Sequence, residues 1–524
     1  MRAWERRVGA VVMRVVGVVL VATVALVLVR PRYATIDLSP VWVVVGLLAS
    51  FALALALRAT RGRRGWSLGA GSRWASWSVG IVVAVVGGVV ARVTATAVSY
   101  RYGWDASVTS LISQRLSRGH PPTAYQLGYL SRYPFNLGIV AVDNVCRIVA
   151  RHLGTQMYPV FIALNAALVG LSVLLVYVGV RLLRGHRAAV AAQLVVVLLL
   201  ALSPWVAVPY TDVLLTPFAT GGVVLVVAGL RARRPALRWA AVLAGSAVLA
   251  VGYALKHTTA AAAIAVLLVL LLRAFDGRRL RRVVTPVALA AAAALVFGAS
   301  AAAVDRASES AAHISAAQLD PSRYPPSAWW IAMGLTTSQS GGRVSYGGFS
   351  STMVRDSRNL RGAALQAYAD QALHDRLAAL GAGGLAAFLV DKQAYNWGDG
   401  MFYAWGEGLD TDPGLLLRHD GFARSVQRWD HPGGSLYVTR ASLTTGLWLA
   451  LLLWAGVGLL GAPYRRETLL VAVVVLGIMG FTLLVQGRSR YLLGYLPITV
   501  IVAAVVDPGA VLRHLRKARP TPTS

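Results

Sequence analysis

The feature that most constrains this chain is a series of twelve long apolar runs. About 20 apolar residues suffice to cross a bilayer as a helix, whose backbone polar groups bond one another. Charged residues make up only 14% of the 524 residues, well below the roughly 25% of a soluble domain. We therefore predict an all-α, polytopic membrane protein with about twelve transmembrane helices. The runs are 8–29, 41–58, 78–99, 159–182, 188–208, 213–230, 238–255, 258–272, 283–304, 442–461, 467–486 and 491–506.

Short basic loops between the runs predict the orientation. With twelve spans and a cytoplasmic N-terminus, every strongly basic loop falls on the cytoplasmic side, as the positive-inside rule requires. We expect a multi-pass protein of the cell membrane with both termini cytoplasmic. No small-residue cleavage site follows run 8–29, so we interpret it as an uncleaved span. The basic loops are 58–73, 181–187, 231–238, 273–282, 465–466 and 513–519.

Two long polar segments, 100–158 and 305–441, are predicted on the extracytoplasmic face. The second holds most of the acidic residues and is too polar to lie in lipid. Within the second, residues 371–390 predict a helix along the membrane surface. The chain thus divides into N-terminal spans 1–99, a first outer loop 100–158, central spans 159–304, a large outer segment 305–441, C-terminal spans 442–507 and a cytoplasmic tail 508–524.

The net charge of +30 does not indicate nucleic-acid binding. The arginines lie in short loops between apolar runs, where they act as orientation signals. Cys146 is the only cysteine, so neither a disulfide within the chain nor a thiolate metal site is possible. The histidines lack metal-ligand spacing, and we predict no metal site.

Acidic residues are scarce before residue 305, and Asp105 is the most informative of them. It follows Trp104 just beyond the third span. A carboxylate beside an aromatic ring at the membrane surface suits a general base. The alternative is that Asp105 is the N-cap of a helix over 106–117. A pair formed by Asp105 with Asp143 or Asp212 also remains open.

Cations are predicted at the outer tips of other spans. Lys256 and His257 lie between the seventh and eighth spans, where a lysine either binds a phosphate or snorkels to the interface. Arg488 and Arg490, followed by Tyr491, break the inside bias of the other arginines. Their placement predicts an anionic partner, because a guanidinium group matches phosphate oxygens.

Two further motifs are candidates for the same site. Arg132, Tyr133 and Asn136 belong to an aromatic stretch that either frames a sugar or lipid headgroup or forms an interfacial belt. Asp212 follows a tight turn between spans five and six. Asp212 either belongs to the site or, together with Thr211, is a candidate for the N-cap of the next helix.

A carboxylate and several cations at the tips of different spans suit a transferase that takes a sugar from a lipid phosphate. The base removes a proton from the acceptor hydroxyl, and the cations stabilise the leaving phosphate. In their order and shared placement these motifs resemble the GT-C superfamily of membrane glycosyltransferases. That class includes protein O-mannosyltransferases, aminoarabinose transferases and actinobacterial mannosyl- and arabinosyltransferases. The resemblance covers about residues 100–500 through the motifs at 103–105, 133–136, 209–212, 253–258, 329–334, 488–491 and 495–497.

The resemblance implies inverting transfer from a polyprenyl-phosphate sugar to an envelope polysaccharide, lipid or protein acceptor, in cell wall biogenesis. It implies Asp105 as the base, with Lys256, Arg488 and Arg490 holding the donor phosphate. The lipid-linked sugar is a substrate, and no cofactor is expected. Two extra spans precede the first outer loop. The paired-acid signature of many members is absent, since only Asp105 stands there, so a metal requirement does not follow.

Two other functions remain open. A lipid or sugar transporter or flippase would place charges at mid-membrane and often contains an internal repeat. The sequence shows neither feature. A non-catalytic envelope-assembly protein would not need Asp105, Lys256 and Arg488 on one face. The tryptophans and tyrosines of segment 305–441 suit stacking on an acceptor sugar, although packing of a small domain explains them equally well.

Overall fold

A computed structural model of the protein describes residues 3–33, 35–59, 73–274, 280–340, 343–406 and 413–509. Within these residues, nine helices are long and apolar enough to cross a membrane, and four shorter helices are apolar. Eight of the twelve predicted runs match long helices, and the other four, 41–58, 188–208, 258–272 and 491–506, match the shorter ones. The ninth long helix, Gly362–Trp397, lies in the predicted outer segment 305–441. The prediction of an all-α polytopic membrane protein is therefore confirmed. Most of the predicted loop 58–73 and of the tail 508–524, and half of the predicted loop 273–282, lie outside the described residues.

The described part contains twenty α-helices and one antiparallel hairpin, in which Thr337 pairs with Tyr346. In chain order the elements are α1 (Ala3–Val29), α2 (Pro40–Ala59), α3 (Arg73–Ala97), α4 (Trp104–Ser117), α5 (Ala124–Arg132), α6 (Leu137–His152), α7 (Met157–Arg184), α8 (His186–Val196), α9 (Thr211–Arg231), α10 (Pro235–Leu255), α11 (Ala260–Leu271), α12 (Leu280–Ala312), α13 (Ser327–Gly334), β1 (Thr337–Ser340), β2 (Arg343–Tyr346), α14 (Ser351–Asp356), α15 (Gly362–Trp397), α16 (Gly421–Asp430), α17 (Tyr437–Gly461), α18 (Arg466–Leu484), α19 (Arg490–Leu493) and α20 (Leu496–Val505).

Close contact between α2 and α17 depends on two glycines. A Cβ atom on Gly46 would stand 2.6 Å from the carbonyl oxygen of Leu443, and one on Gly446 would come still closer to Val43. A residue with a side chain cannot occupy either position unless the helices separate. Burial from water contributes little to the association of membrane helices. Small residues let two helix backbones approach closely, and this close approach increases their packing contact.

Both polar segments lie on one face of the helix bundle, which we call the loop face. The chain leaves α3 there, and Tyr102 packs on Tyr158 at the start of α7, with ring centroids 5.1 Å apart. The chain also leaves α10 on this face, because Lys256, at the end of α10, binds Asp212 at the start of α9. The basic turns 181–187 and 231–238 lie at the opposite ends of these helices. That the loop face is extracytoplasmic stays a prediction.

Segment 100–158 folds into three helices, α4 to α6, with a small apolar core of its own. Ile112 of α4 packs with Leu130 of α5 and Val140 of α6. Ile314, just beyond α12, completes this core, so the segment is fixed to the end of a long membrane helix. Because α4 begins at Trp104, this packing also positions Asp105.

Helix α15 covers the predicted helix 371–390 but is longer and is interrupted at Gly381, whose φ of +59° is not helical. Its first half packs on α13 and α14 through Leu365. Its second half enters the bundle, where Lys392 is fully buried and donates to the carbonyl oxygens of Gly334, Leu483 and Val485. The helix therefore does not lie along one surface for its whole length.

Candidate functional site

Asp105 lies in the first turn of α4 but does not cap the helix. The N-cap is Gly103, which makes no side-chain cap bond, so the capping interpretation of Asp105 is wrong. Trp104 adopts a left-handed backbone, with a φ of +51°, at the point where the chain turns from α3 into α4. A large residue rarely adopts this conformation. The turn directs the Asp105 side chain toward α5 and the start of α9.

Asp105 belongs to a network with two tyrosines and an asparagine. The Tyr129 hydroxyl donates to Oδ1 of Asp105 at 2.7 Å, and the Asn136 amide donates to Tyr129 at 2.6 Å. Tyr210 lies 2.8 Å from Oδ1 of Asn136 and 3.5 Å from Oδ2 of Asp105. A tyrosine has one proton to donate, and the shorter contact takes it. Oδ2 of Asp105 therefore accepts no short hydrogen bond from either tyrosine.

The Tyr129 hydroxyl is a permanent donor to this carboxylate. Burial and the nearby Asp105 charge raise the pKa of Tyr129 well above its usual value. Burial likewise raises the pKa of the neighbouring Tyr133 to about 12. Both phenols remain protonated at any physiological pH, so Tyr129 holds Asp105 in one orientation.

Lys256 and Asp212 form a buried ion pair between the end of α10 and the start of α9. The N-cap of α9 is Tyr210, without a side-chain cap bond, so neither Thr211 nor Asp212 is the N-cap. The ammonium group of Lys256 also lies 4.6 Å from the centroid of the Tyr491 ring. The pair thus faces α19, which carries the next cation.

Arg490 connects the Lys256 side of the site to the Asp105 side. Its guanidinium carbon lies 5.2 Å from the ring centroid of Tyr491 and 5.9 Å from that of Tyr210. Tyr491 also contacts Lys256, and Tyr210 contacts Asp105. Only 8% of Arg490 is exposed, so its charge is largely removed from solvent.

Arg488 is held between two aromatic rings. Its guanidinium carbon lies 4.5 Å from the Tyr403 ring centroid and 5.3 Å from that of Trp104. Cation–π contacts of this kind are strongest where the cation is desolvated, and Arg488 is 7% exposed. Arg488 therefore packs on the residue that precedes Asp105 in the chain.

A buried turn over 399–405 positions Tyr403. Asp399 accepts hydrogen bonds from the backbone amides of Met401 and Tyr403 and from the hydroxyl of Ser489. The turn is therefore fixed to the residue that follows Arg488. Burial raises the pKa of Asp399, and these donors partly offset the effect.

Backbone strain concentrates around Arg488. Among the described residues, five non-glycine residues have positive φ, and four of them lie at 104 and within 402–405. Such conformations cost about 1–3 kcal/mol each and persist where surrounding contacts enforce them, often at functional sites. Two of the four, Trp104 and Tyr403, supply the rings that contact Arg488.

We name the five charged residues brought together here the loop-face cluster. Contacts through Tyr210 and Tyr491 link Asp105, Arg490 and Lys256. Asp212 is paired with Lys256, and Arg488 packs on Trp104, next to Asp105 in the chain. All five were predicted from the sequence as site residues. Within the described part of the chain, no group of three or more His, Cys, Asp or Glu residues is placed to hold a metal ion. The members are Asp105, Asp212, Lys256, Arg488 and Arg490.

The other predicted site residues lie at the edge of the cluster or away from it. Tyr133 packs on Tyr129, with ring centroids 5.3 Å apart. His257 stacks on Tyr253 at 4.6 Å and contacts Phe135 at 5.4 Å, forming an aromatic wall next to Lys256.

Besides its interaction with Tyr133, Arg132 makes hydrogen bonds away from the cluster. It donates to the carbonyl oxygen of Ser357 at 2.5 Å and to the Ser357 hydroxyl at 3.2 Å. The structure therefore places Arg132 against the C-terminal end of α14, where it joins the two polar segments. Nothing in these contacts brings it to Asp105.

Three residues of the site were not singled out as site residues by sequence reasoning. Tyr129 precedes Tyr133 by four residues, so both lie on one face of α5, and this spacing was a usable signal. Tyr210 precedes the predicted span that begins near Asp212. Tyr403 was noted only among the aromatic residues of segment 305–441, and its contact with Arg488 depends on a left-handed turn that composition does not reveal.

The comparisons with known proteins bear on the chain as a whole. A family model described as a conserved hypothetical integral membrane protein matches residues 14–511. No curated protein matches the sequence. The matched range includes the whole loop-face cluster, from Asp105 to Arg490.

Proposed function

This chain belongs to a family of conserved hypothetical integral membrane proteins, and we propose that it is a membrane glycosyltransferase. In this proposal it moves a sugar from a polyprenyl-phosphate donor to a hydroxyl acceptor at the loop face, which faces the extracytoplasmic side. Asp105 acts as the base, and Lys256, Arg488 and Arg490 bind the donor phosphate. The sugar and the acceptor are not specified by the residues of the site.

One observation carries the proposal. Asp105 and the three cations come from three connections distant in sequence, yet a continuous series of contacts joins them. Asp105 contacts Tyr210, Tyr210 contacts Arg490, and Tyr491 contacts both Arg490 and Lys256. Arg488 joins the series through Trp104. A base next to a set of phosphate-binding groups is what this transfer requires.

The proposed reaction is one displacement at the anomeric carbon. The acceptor oxygen forms a bond to this carbon as the bond to the phosphate oxygen breaks, so the configuration inverts. The acceptor proton passes to Asp105, and the polyprenyl phosphate leaves with the bonding electron pair. Oδ2 of Asp105 is the suitable atom, because Tyr129 already donates to Oδ1 at 2.7 Å.

The cations supply the electrostatic part of catalysis. Negative charge grows on the phosphate as it leaves, and donors fixed in advance stabilise that charge most where water is excluded. Arg488, Arg490 and Lys256 are each at most 9% exposed, and aromatic rings hold them. Asp212 offsets part of the Lys256 charge, which leaves the two arginines as the main phosphate ligands.

The position of the cluster suits a lipid-linked donor. Its residues lie where membrane helices end, after α10 and α18 and before α9. A phosphate bound there leaves a polyprenyl chain free to extend into the bilayer. A transporter site, in contrast, lies near the middle of the membrane in broken helices.

The test uses the full-length protein in liposomes that contain radiolabelled polyprenyl-phosphate mannose or arabinose, with an envelope extract as acceptor. Release of polyprenyl phosphate and labelling of the acceptor are both measured. R488Q is compared with R355Q, since Arg355 is exposed on α14 and its ion pair with Asp356 is a surface contact.

We expect turnover by the wild type with at least one donor. R488Q should lower kcat about 10²–10³-fold, as removal of one transition-state donor does elsewhere, and R355Q should match the wild type. Absence of turnover with every donor, or equal rates for R488Q and the wild type, would contradict the proposal.

A further inference from the structure

A second polar site lies on the loop face, on the side of α4 away from Asp105. A cavity of about 590 Å³ opens between α4, α6 and the start of α7. Ser107, Ser110 and Gln114 line it from α4, at helical spacing, whereas Asp105 bonds to Tyr129 on α5. Tyr102 and Tyr158 also line the cavity, where α3 ends and α7 begins.

Arg147 forms the fixed part of the cavity wall. Its Nε donates to the Ser113 hydroxyl at 2.9 Å, and its Nη2 donates to the carbonyl and hydroxyl oxygens of Ser110 at 2.8 Å. The Tyr102 hydroxyl lies 3.1 Å from the same Ser110 hydroxyl. These contacts hold the guanidinium group in one orientation before any ligand binds.

The cavity has a positive, hydrogen-bonding character. Arg151 lines it one helical turn after Arg147, and no carboxylate belongs to its lining among the described residues. Asp143, one turn before Arg147, is fully buried and outside the lining. Two arginines one turn apart, with hydroxyl and amide groups around them, form a site suited to a phosphate.

The surroundings of the cavity are those of a membrane surface. Leu111, a lining residue, is 53% exposed, and Leu153, just after α6, is 68% exposed. Val145 and Val149, one turn apart on α6, are also exposed. An amphipathic helix with exposed apolar residues and basic residues lies in the interface between headgroups and acyl chains.

From this arrangement we propose that the cavity binds the phosphate of an anionic membrane phospholipid. Arg147 and Arg151 bind the phosphate oxygens, and the serines and Gln114 bind the polar headgroup. The acyl chains lie against the exposed leucines and enter the bilayer beside the ends of α3 and α7. Basic pockets at helix ends recognise lipid headgroups in this way. The inference does not rest on the proposed transferase activity.

The test measures lipid association directly. The full-length protein is reconstituted in phosphatidylcholine liposomes with a small amount of spin-labelled phosphatidylglycerol or spin-labelled phosphatidylcholine. Electron paramagnetic resonance gives the fraction of each lipid that the protein immobilises. The variants are R151Q, which changes an exposed residue, and S107F, which fills the cavity. R355Q is the matched control on the same face, and thermal unfolding of each variant checks its fold.

We expect the wild type and R355Q to prefer phosphatidylglycerol. R151Q should lower the relative association constant for phosphatidylglycerol about fivefold, which is the effect of one basic residue near an anionic lipid. S107F should lower it as well, while phosphatidylcholine association stays constant. The same preference for phosphatidylglycerol in the wild type, R151Q and S107F would overturn the inference. A second experiment adds 10 mM soluble glycerol phosphate, a concentration of about the dissociation constant of a weak phosphate site. Complete displacement of phosphatidylglycerol would also overturn the inference, because the ligand would then be free phosphate.

Discussion

Replacement of Asp105 by Asn separates the chemical role of this carboxylate from its structural role. The amide oxygen can still accept the Tyr129 hydroxyl that now lies 2.7 Å from Oδ1. The bond changes from charge-assisted to neutral, which costs about 1 kcal/mol. The proposed phosphate ligands Arg488, Arg490 and Lys256 are unchanged. We therefore expect a small loss of stability and a donor KM within a few fold of the wild type, as uniform binding is preserved.

The loss of the base is expected to dominate the rate. A positioned general base contributes about 10²–10⁴-fold, which corresponds to roughly 2.7–5.4 kcal/mol in the activation free energy. The assay is initial-rate transfer from a radiolabelled polyprenyl-phosphate sugar in liposomes over a range of donor concentrations. D356N is the matched control, because Asp356 is exposed and its ion pair is with the neighbouring Arg355. A D105N enzyme with kcat within about threefold of the wild type would refute Asp105 as the base.

Three further predictions concern the contacts around the site. Asp212→Asn removes the carboxylate that binds the buried Lys256, so we expect about 3–5 kcal/mol lower stability. The double variant with Lys256→Met should recover most of this loss in thermal unfolding, and no recovery would argue against coupling of the two residues. Tyr403→Leu removes the ring 4.5 Å from Arg488, so donor KM should rise about fivefold for a cation–π contact worth about 1 kcal/mol, whereas an unchanged KM would mean that the ring does not hold the arginine. Burial raises the pKa of Asp143 in the folded protein. The contribution of Asp143 to stability is therefore complete below its pKa in the unfolded chain, near 4, and declines as the pH rises through its pKa in the folded protein. The melting temperature of Asp143→Asn should therefore exceed that of the wild type at pH 7.5 and equal it near pH 4. The same difference in melting temperature at both pH values would contradict this.

Most of the long membrane helices were predictable because a run of about 20 apolar residues is long enough to cross a bilayer. The sequence boundary at 159 is close to the start of α7 at Met157. Helix α15 was harder to predict, since its two halves have different surroundings. Gly381 interrupts it, and Lys392 lies buried in its second half with three carbonyl partners.

The charged part of the site was predictable for a related reason. A charge near the bilayer is costly, so each of Asp105, Lys256, Arg488 and Arg490 was conspicuous among apolar neighbours. Arg132 was equally conspicuous, but its partner is Ser357, more than 200 residues away in sequence. Pairings at such a separation follow from the tertiary fold, and no local pattern records them.

The charge of the loop-face cluster gives a reason why these groups stay buried together. Its three cations and two carboxylates sum to +1, while Asp399 is satisfied by its own backbone and hydroxyl donors. Desolvated cations destabilise a fold unless an anion compensates them. A polyprenyl phosphodiester carries about one negative charge, and the released monoester approaches two near neutral pH. When Asp105 accepts the acceptor proton, the cluster charge rises to +2. The site thus remains matched to its ligand before and after the proposed transfer, because the proton and the leaving electron pair move in the same step.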